Sequence, residues 1–153
     1  MKVVLSDTHF DQIKTHLEDA YPNEGAGFLL GRSSENLVEI EFILPMANRR
    51  EAEAQHNRYS IEPKDYANAE FEAARRGLDL VGVFHSHPDH PARPSQFDVD
   101  HAWPNFTYFI TSVEKGKVKV THAWRLREDR TAFDEDILEV AQPNSVANTN
   151  RED

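Results

Sequence analysis

The chain contains no cysteine. That excludes disulfides, thiolate metal ligands, cysteine nucleophiles and the zinc deaminases that need a Cys pair. A reducing cytoplasm is the expected location. Positive charge is also scarce. Only 17 Lys and Arg stand against 27 Asp and Glu, for a net charge of −10. A surface of that sign repels phosphate backbones, so no nucleic-acid partner is expected. No apolar run approaches the roughly 20 residues of a membrane span. Met1-Lys2-Val3-Val4-Leu5 meets Ser6-Asp7 too soon to form a secretory core. No membrane partner is expected either. Repeats and internal linkers are missing, and 153 residues suit one domain around one core.

What is present is a polar cluster, His85-Ser86-His87-Pro88, followed by Ser95 and Asp98. Leu80-Val81-Gly82-Val83-Phe84 is a short apolar run that reads as a buried strand. Residues i and i+2 of a strand share a face, so a strand persisting to His87 projects both imidazoles together. Pro88, Pro91 and Pro94 rule out regular structure in the next segment. Ser95 followed by Asp98 then has the spacing of a helix cap and its reciprocal acid. The loop can thus fold back and present Asp98 to the histidines. Three protein ligands leave a fourth tetrahedral position for water, which distinguishes a catalytic zinc from a structural one.

A His-x-His pair alone carries little weight, since about 0.4 such pairs arise by chance at this histidine content. Adding Ser at +8 and Asp at +11 from His87 lowers the figure to roughly 0.002. The competing readings are histidines in a solvated loop and a Ser-Asp pair that only caps a helix. The other histidines, His9, His16, His56, His90, His101 and His122, carry no comparable pattern. Trp103 and Trp124 read as core or rim.

The remaining elements follow from periodicity. Lys2 to Leu5 predicts a strand, and Ser6 or Asp7 caps a helix with Phe10, Ile13 and Leu17 on one face. Gly27 to Gly31 and Leu37 to Leu44 predict strands around a polar turn. Asn48 to Asn57 reads as a polar loop. Pro63 suits the first turn of a second helix ending at Gly77, with Asp65 near its start. Thr107 to Val113 and Lys117 to Trp124 form a hairpin around Lys115-Gly116, and Ile137 to Val140 a last short strand. Residues 1–140 make one domain, and 141–153 form a polar tail expected to be disordered. Strands and helices in this order imply an α/β sandwich with a mixed sheet. Phe28, Leu30, Phe42, Val81, Val83, Phe109 and Ile110 are the expected core.

Glu24, His85-Ser86-His87-Pro88, Ser95 and Asp98 together resemble the signature of the JAMM/MPN metalloprotease family. Tyr21 to Gly31 resembles the family's Glu-containing segment, Val81 to Phe84 its strand before the histidines, and Ala92 to Ser95 its approach to the serine. The likeness runs from about Met1 to about Val140. It departs at Ala26, where many prokaryotic members have Cys, a position outside the catalytic set. It also lacks the insertion that gives some ubiquitin-chain-cleaving members a second zinc. The chain is therefore similar to the minimal prokaryotic form, the Mec enzymes that act on ubiquitin-like sulfur-carrier proteins.

The resemblance implies an α-β-α sandwich with a mixed sheet, the cytidine-deaminase-like JAMM/MPN fold. It implies zinc on His85, His87 and Asp98, with Glu24 as general base. Ser95 would donate its hydroxyl to the developing oxyanion. A ubiquitin-like sulfur carrier is the implied partner and its C-terminal Gly the cleavage point. The alternatives are a non-catalytic MPN-type binding module, against which the five filled positions speak, and a metal-dependent hydrolase of a small amide.

Overall fold

The histidine strand lies at the centre of the fold. The computed structural model describes residues 1–47 and 61–142. Its elements run β1 (Lys2–Ser6), α1 (Asp7–Ala20), β2 (Ala26–Ser33), β3 (Leu37–Met46), α2 (Pro63–Arg75), β4 (Asp79–Pro88), α3 (Gln96–His101), β5 (Thr107–Glu114), β6 (Lys117–Leu126) and β7 (Phe133–Ala141). Strand order is β1-β3-β2-β4-β5-β6-β7. Antiparallel β2 flanks β4 on one side and parallel β5 on the other, so β4 is hydrogen-bonded along both edges.

Local sequence explains the helices. Ser6 caps α1 by accepting the His9 N–H at 3.1 Å, and Ile13 and Leu17 are fully buried. Pro63 opens α2 behind Glu62, and the Asp65 carboxylate takes the Glu62 N–H at 2.8 Å. Gly77 follows at φ 71°, the left-handed conformation that ends helices.

The two faces of the sheet carry separate cores. Phe84, Phe109, Leu29, Val3 and Leu5 pack with Ile13 and Leu17 of α1. Phe28, Leu30, Val83 and Tyr108 pack on the opposite face with Ala69 and Ala73 of α2 and Ala102 after α3. Helices on both faces of a mixed sheet bear out the α/β reading. Three expectations need correction. The sheet does not end in open edges but closes into a barrel, because β7 pairs in parallel with β1 from Lys2↔Ile137 to Ser6↔Ala141. The first half of β7, Phe133 to Asp136, pairs with β6. That half is strongly acidic and gives no apolar strand signal, so only Ile137 onward was legible. Phe42 is only partly buried and lies under the Arg76 guanidinium, 4.0 Å from its ring centroid. The other six expected core residues are buried.

Among the described residues, no helix is long and apolar enough to cross a membrane. The expected loop 48–57 lies outside the described residues, as does the tail from 143 onward.

Candidate metal centre

β4 persists through Pro88, so His85 and His87 do share one face. It is the face of Val83, on the side of α2 and α3. His85 is fully buried and His87 nearly so. Their Nε2 atoms lie 3.3 Å apart. The third group comes from α3. Ser95 is its N-cap and accepts the Asp98 N–H at 3.1 Å, while the Asp98 Oδ2 accepts the Ser95 N–H at 2.8 Å. This reciprocal capping box aims the Asp98 carboxylate back at the strand. Its Oδ1 lies 3.1 Å from His85 Nε2 and its Oδ2 3.2 Å from His87 Nε2.

The donor set fits zinc. Tetrahedral bonds of about 2.0–2.1 Å put neighbouring ligand atoms roughly 3.3–3.4 Å apart. The two Nε2 atoms stand 3.3 Å apart, and each has an Asp98 carboxylate oxygen at 3.1 to 3.2 Å, Oδ1 beside His85 and Oδ2 beside His87. The three residues are the only such buried group found among the described residues. His87 is also oriented from behind. Its Nδ1 lies 2.9 Å from the Pro91 carbonyl, which can only accept, so Nδ1 carries the proton and Nε2 keeps its lone pair for a metal.

Charge is set up in keeping with this. Burial opposes ionisation of Asp98, but the neighbouring His85 and the bonds from His85, His87 and the Ser95 N–H hold its carboxyl far below the usual carboxylate range. Burial likewise disfavours a proton on His87. The Asp98 bond, the Pro91 carbonyl and the charges of Asp98 and Glu24 outweigh it and raise its proton affinity.

Glu24 lies two residues before the neighbouring strand β2. Ala26 is paired with His85, and the ladder continues one step further, with Ser86 N–H donating to the Gly25 carbonyl (3.0 Å) and Gly25 N–H to Ser86 Oγ (2.9 Å). Glu24, half-buried, directly precedes Gly25, and its charge acts on His87. A Cβ at Gly25 would meet Ala20 at 2.9 Å and Leu17 at 3.0 Å, so the segment lies flat against α1. Ser86 holds the Gly25 backbone through both its N–H and its hydroxyl.

Two further residues hold the centre and carried no sequence signal. Asp89, at φ 57°, accepts the Tyr21 hydroxyl at 2.7 Å and the Lys115 N–H at 2.9 Å. It thereby ties the segment before Glu24, the loop after His87 and the β5–β6 turn to one carboxylate. Trp124 Nε1 donates to the Ala92 carbonyl at 3.1 Å and pins the proline-rich loop to β6. A cleft of about 470 Å³ borders that loop, lined by Arg93, Ser112, His122 and Trp124 among others. The larger cleft, about 710 Å³ between α1 and β6–β7, is lined by none of His85, His87, Ser95 and Asp98. His90 and His101 are exposed, and His101 stacks on Phe97 rather than joining the centre.

The fold and the three-ligand centre define an α/β protein of the JAMM/MPN class. Residues 6–127 match the model of the prokaryotic homologs of the JAB domain, and the chain belongs to that family. A structure from Salinibacter ruber is 41% identical with a TM-score of 0.70, covering 94% of this chain and 93% of that one. A JAB1/MPN domain protein from Archaeoglobus fulgidus shares the fold at a TM-score of 0.52 and 17% identity, covering 92% of this chain and 100% of that one. The "probable TtuB-protein conjugate cleaving protease" of Thermus thermophilus is 31% identical over 100 residues, or 65% of this chain. That match spans 63% of the relative's length. A Pyrococcus furiosus desampylase is 32% identical over 107 residues, 69% of this chain and 68% of the relative.

Proposed function

We propose that the chain is a cytoplasmic zinc-dependent isopeptidase, with residues 1–140 as its catalytic domain. It would hydrolyse the amide bond after the C-terminal Gly of a ubiquitin-like sulfur-carrier protein. The carrying observation is the convergence of His85, His87 and Asp98, with each Nε2 3.1 to 3.2 Å from an Asp98 oxygen and the charge of Glu24 acting on His87. The relatives named for cleaving protein conjugates support the substrate class.

His85, His87 and Asp98 would hold zinc, which supplies Lewis acidity and acidifies a water towards a pKa of ~7 when bound. Glu24 takes the proton of the attacking water and returns it to the leaving nitrogen. The C–N bond breaks as the new C–O bond forms, giving a carboxylate and a free amine. Ser95 accepts the Asp98 N–H through a lone pair, so its own proton is left to donate to the carbonyl oxygen as that atom gains charge. Ser95 is exposed, as that role requires. His87, held by Pro91, keeps its Nε2 aimed at the centre.

An extended tail ending in Gly-Gly suits the surroundings. Pro88 closes the histidine strand, and Pro94 and Phe97 flank Ser95, so residues without side chains pass most easily. The released amine is cysteine or a lysine side chain. The test is mass spectrometry of a carrier–cysteine conjugate incubated with zinc-loaded protein, expected to show loss of one cysteine. An intact conjugate beside efficient cleavage of an unrelated small amide would leave a metallohydrolase and remove the carrier.

A further inference from the structure

α3, the helix that carries Asp98, has six residues. A helix that short does not hold itself, because nucleation costs more than so few backbone bonds return. Its N-terminal end is closed by the Ser95–Asp98 capping box. Its C-terminal carbonyls need partners too. They find them 30 residues away. Arg130, in the β6–β7 turn, donates Nη1 to the Ala102 carbonyl at 2.8 Å and Nη2 to the Val99 and Asp100 carbonyls at 3.3 and 3.4 Å. The guanidinium also places positive charge at the negative end of the helix. Val99 and Asp100 directly follow the metal ligand, so the grip lies one and two residues from it.

The turn that presents Arg130 is built for the purpose. Arg127 N–H donates to the Ala132 carbonyl and Arg130 N–H to the Arg127 carbonyl, both at 2.9 Å. Asp129 accepts Thr131 N–H and hydroxyl at 3.0 and 2.7 Å. The Arg127 guanidinium pairs with Asp134 at 2.9 Å. Within this frame Arg130 sits at φ 63°. Glycine adopts that left-handed conformation freely and a side-chain-bearing residue does so at a cost. An arginine standing there implies that its side chain is worth the strain.

We propose that Arg130 is a positioning residue for the metal. By closing the C-terminal end of α3 it holds Asp98 at the distance the two histidines require. This rests on the reading of His85, His87 and Asp98 as zinc ligands. The variant Arg130→Gly separates positioning from general stability, because it removes the guanidinium while relieving the backbone. Zinc affinity is measured by competition with a chromophoric chelator, and melting is followed on the metal-free proteins. The expected result is a loss of affinity of about 10- to 100-fold in Arg130→Gly, the range for groups that orient a ligand. Arg130→Lys, which keeps the charge and a single donor nitrogen, recovers part of it. The metal-free Arg130→Gly protein melts no lower than wild type. Zinc affinity within twofold of wild type in Arg130→Gly would overturn the proposal. So would a metal-free protein that melts far below wild type, which would make Arg130 a structural residue. A wild-type protein that takes up no zinc would remove the ligand reading itself.

Discussion

The two histidines and the aspartate reach the same point by opposite means. His85 and His87 stand on β4, bonded to β2 and β5 along both edges and buried from Val81 to His87. Asp98 stands on six residues of helix held at one end by its own capping box and at the other by Arg130. The strand supplies rigidity through the whole sheet. The helix borrows it from a few named bonds. A centre of this kind is therefore as firm as its least supported side chain, and perturbations on the two sides should differ in character.

Replacing a ligand on either side gives the largest effect. His87→Ala and Asp98→Ala should each lower zinc affinity by more than ~10²-fold, beyond what loss of an orienting group costs, with hydrolysis lost as well. Equilibrium dialysis against buffered zinc measures this. Near-wild-type affinity in either variant would break the three-ligand account. Glu24→Gln should keep zinc and lower turnover by ~10²–10⁴, since an amide of the same size cannot accept the water's proton. Single-turnover kinetics on metal-loaded protein checks it. Ser95→Ala bears on both halves of the comparison. Loss of the oxyanion donor should slow the reaction by ~10²–10³. Loss of the cap should destabilise the fold by about 1 kcal/mol, seen in denaturant melts.

Much of this division was already visible in the sequence. The apolar run before His85 and the Ser95–Asp98 spacing follow local rules of strand and cap, and both formed as read. Glu24 carried no local pattern, and the family resemblance supplied it. What stayed hidden is non-local. The closure of β7 on β1 joins residues about 135 apart in the chain. Asp89 looks like any loop acid until its φ of 57° and its bonds to Tyr21 and Lys115 are known. Arg130 looks like any turn arginine. Supports that cross the chain leave no period and no spacing to find.

Acidity should separate the two sides more gently. His87 has a raised pKa in the metal-free protein, so its contribution to stability is complete below its ordinary 6.5 and fades as pH rises through the raised value. The Asp98 value is depressed, so its contribution is complete above 3.8 and fades as pH falls towards the depressed value. The metal-free pair should thus stabilise most between about pH 4 and 6.5. Chemical denaturation of wild type and Asp98→Asn should show their largest difference within that range and a shrinking one as pH falls below it. The smallest effect is expected from Tyr21→Phe, which removes one bond to Asp89 and leaves the Lys115 bond in place. Turnover should fall a few-fold with KM unchanged, on the order of one lost hydrogen bond. An altered KM would place Tyr21 in substrate contact instead.

The proposed hydrolysis stands or falls with zinc at His85, His87 and Asp98. Elemental analysis with X-ray absorption on protein loaded at neutral pH tests it most directly. One zinc per chain is expected in a shell of nitrogen and oxygen at about 2.0–2.1 Å, collapsing in His87→Ala. A protein that takes up no zinc, or a shell unchanged in His87→Ala, would contradict it.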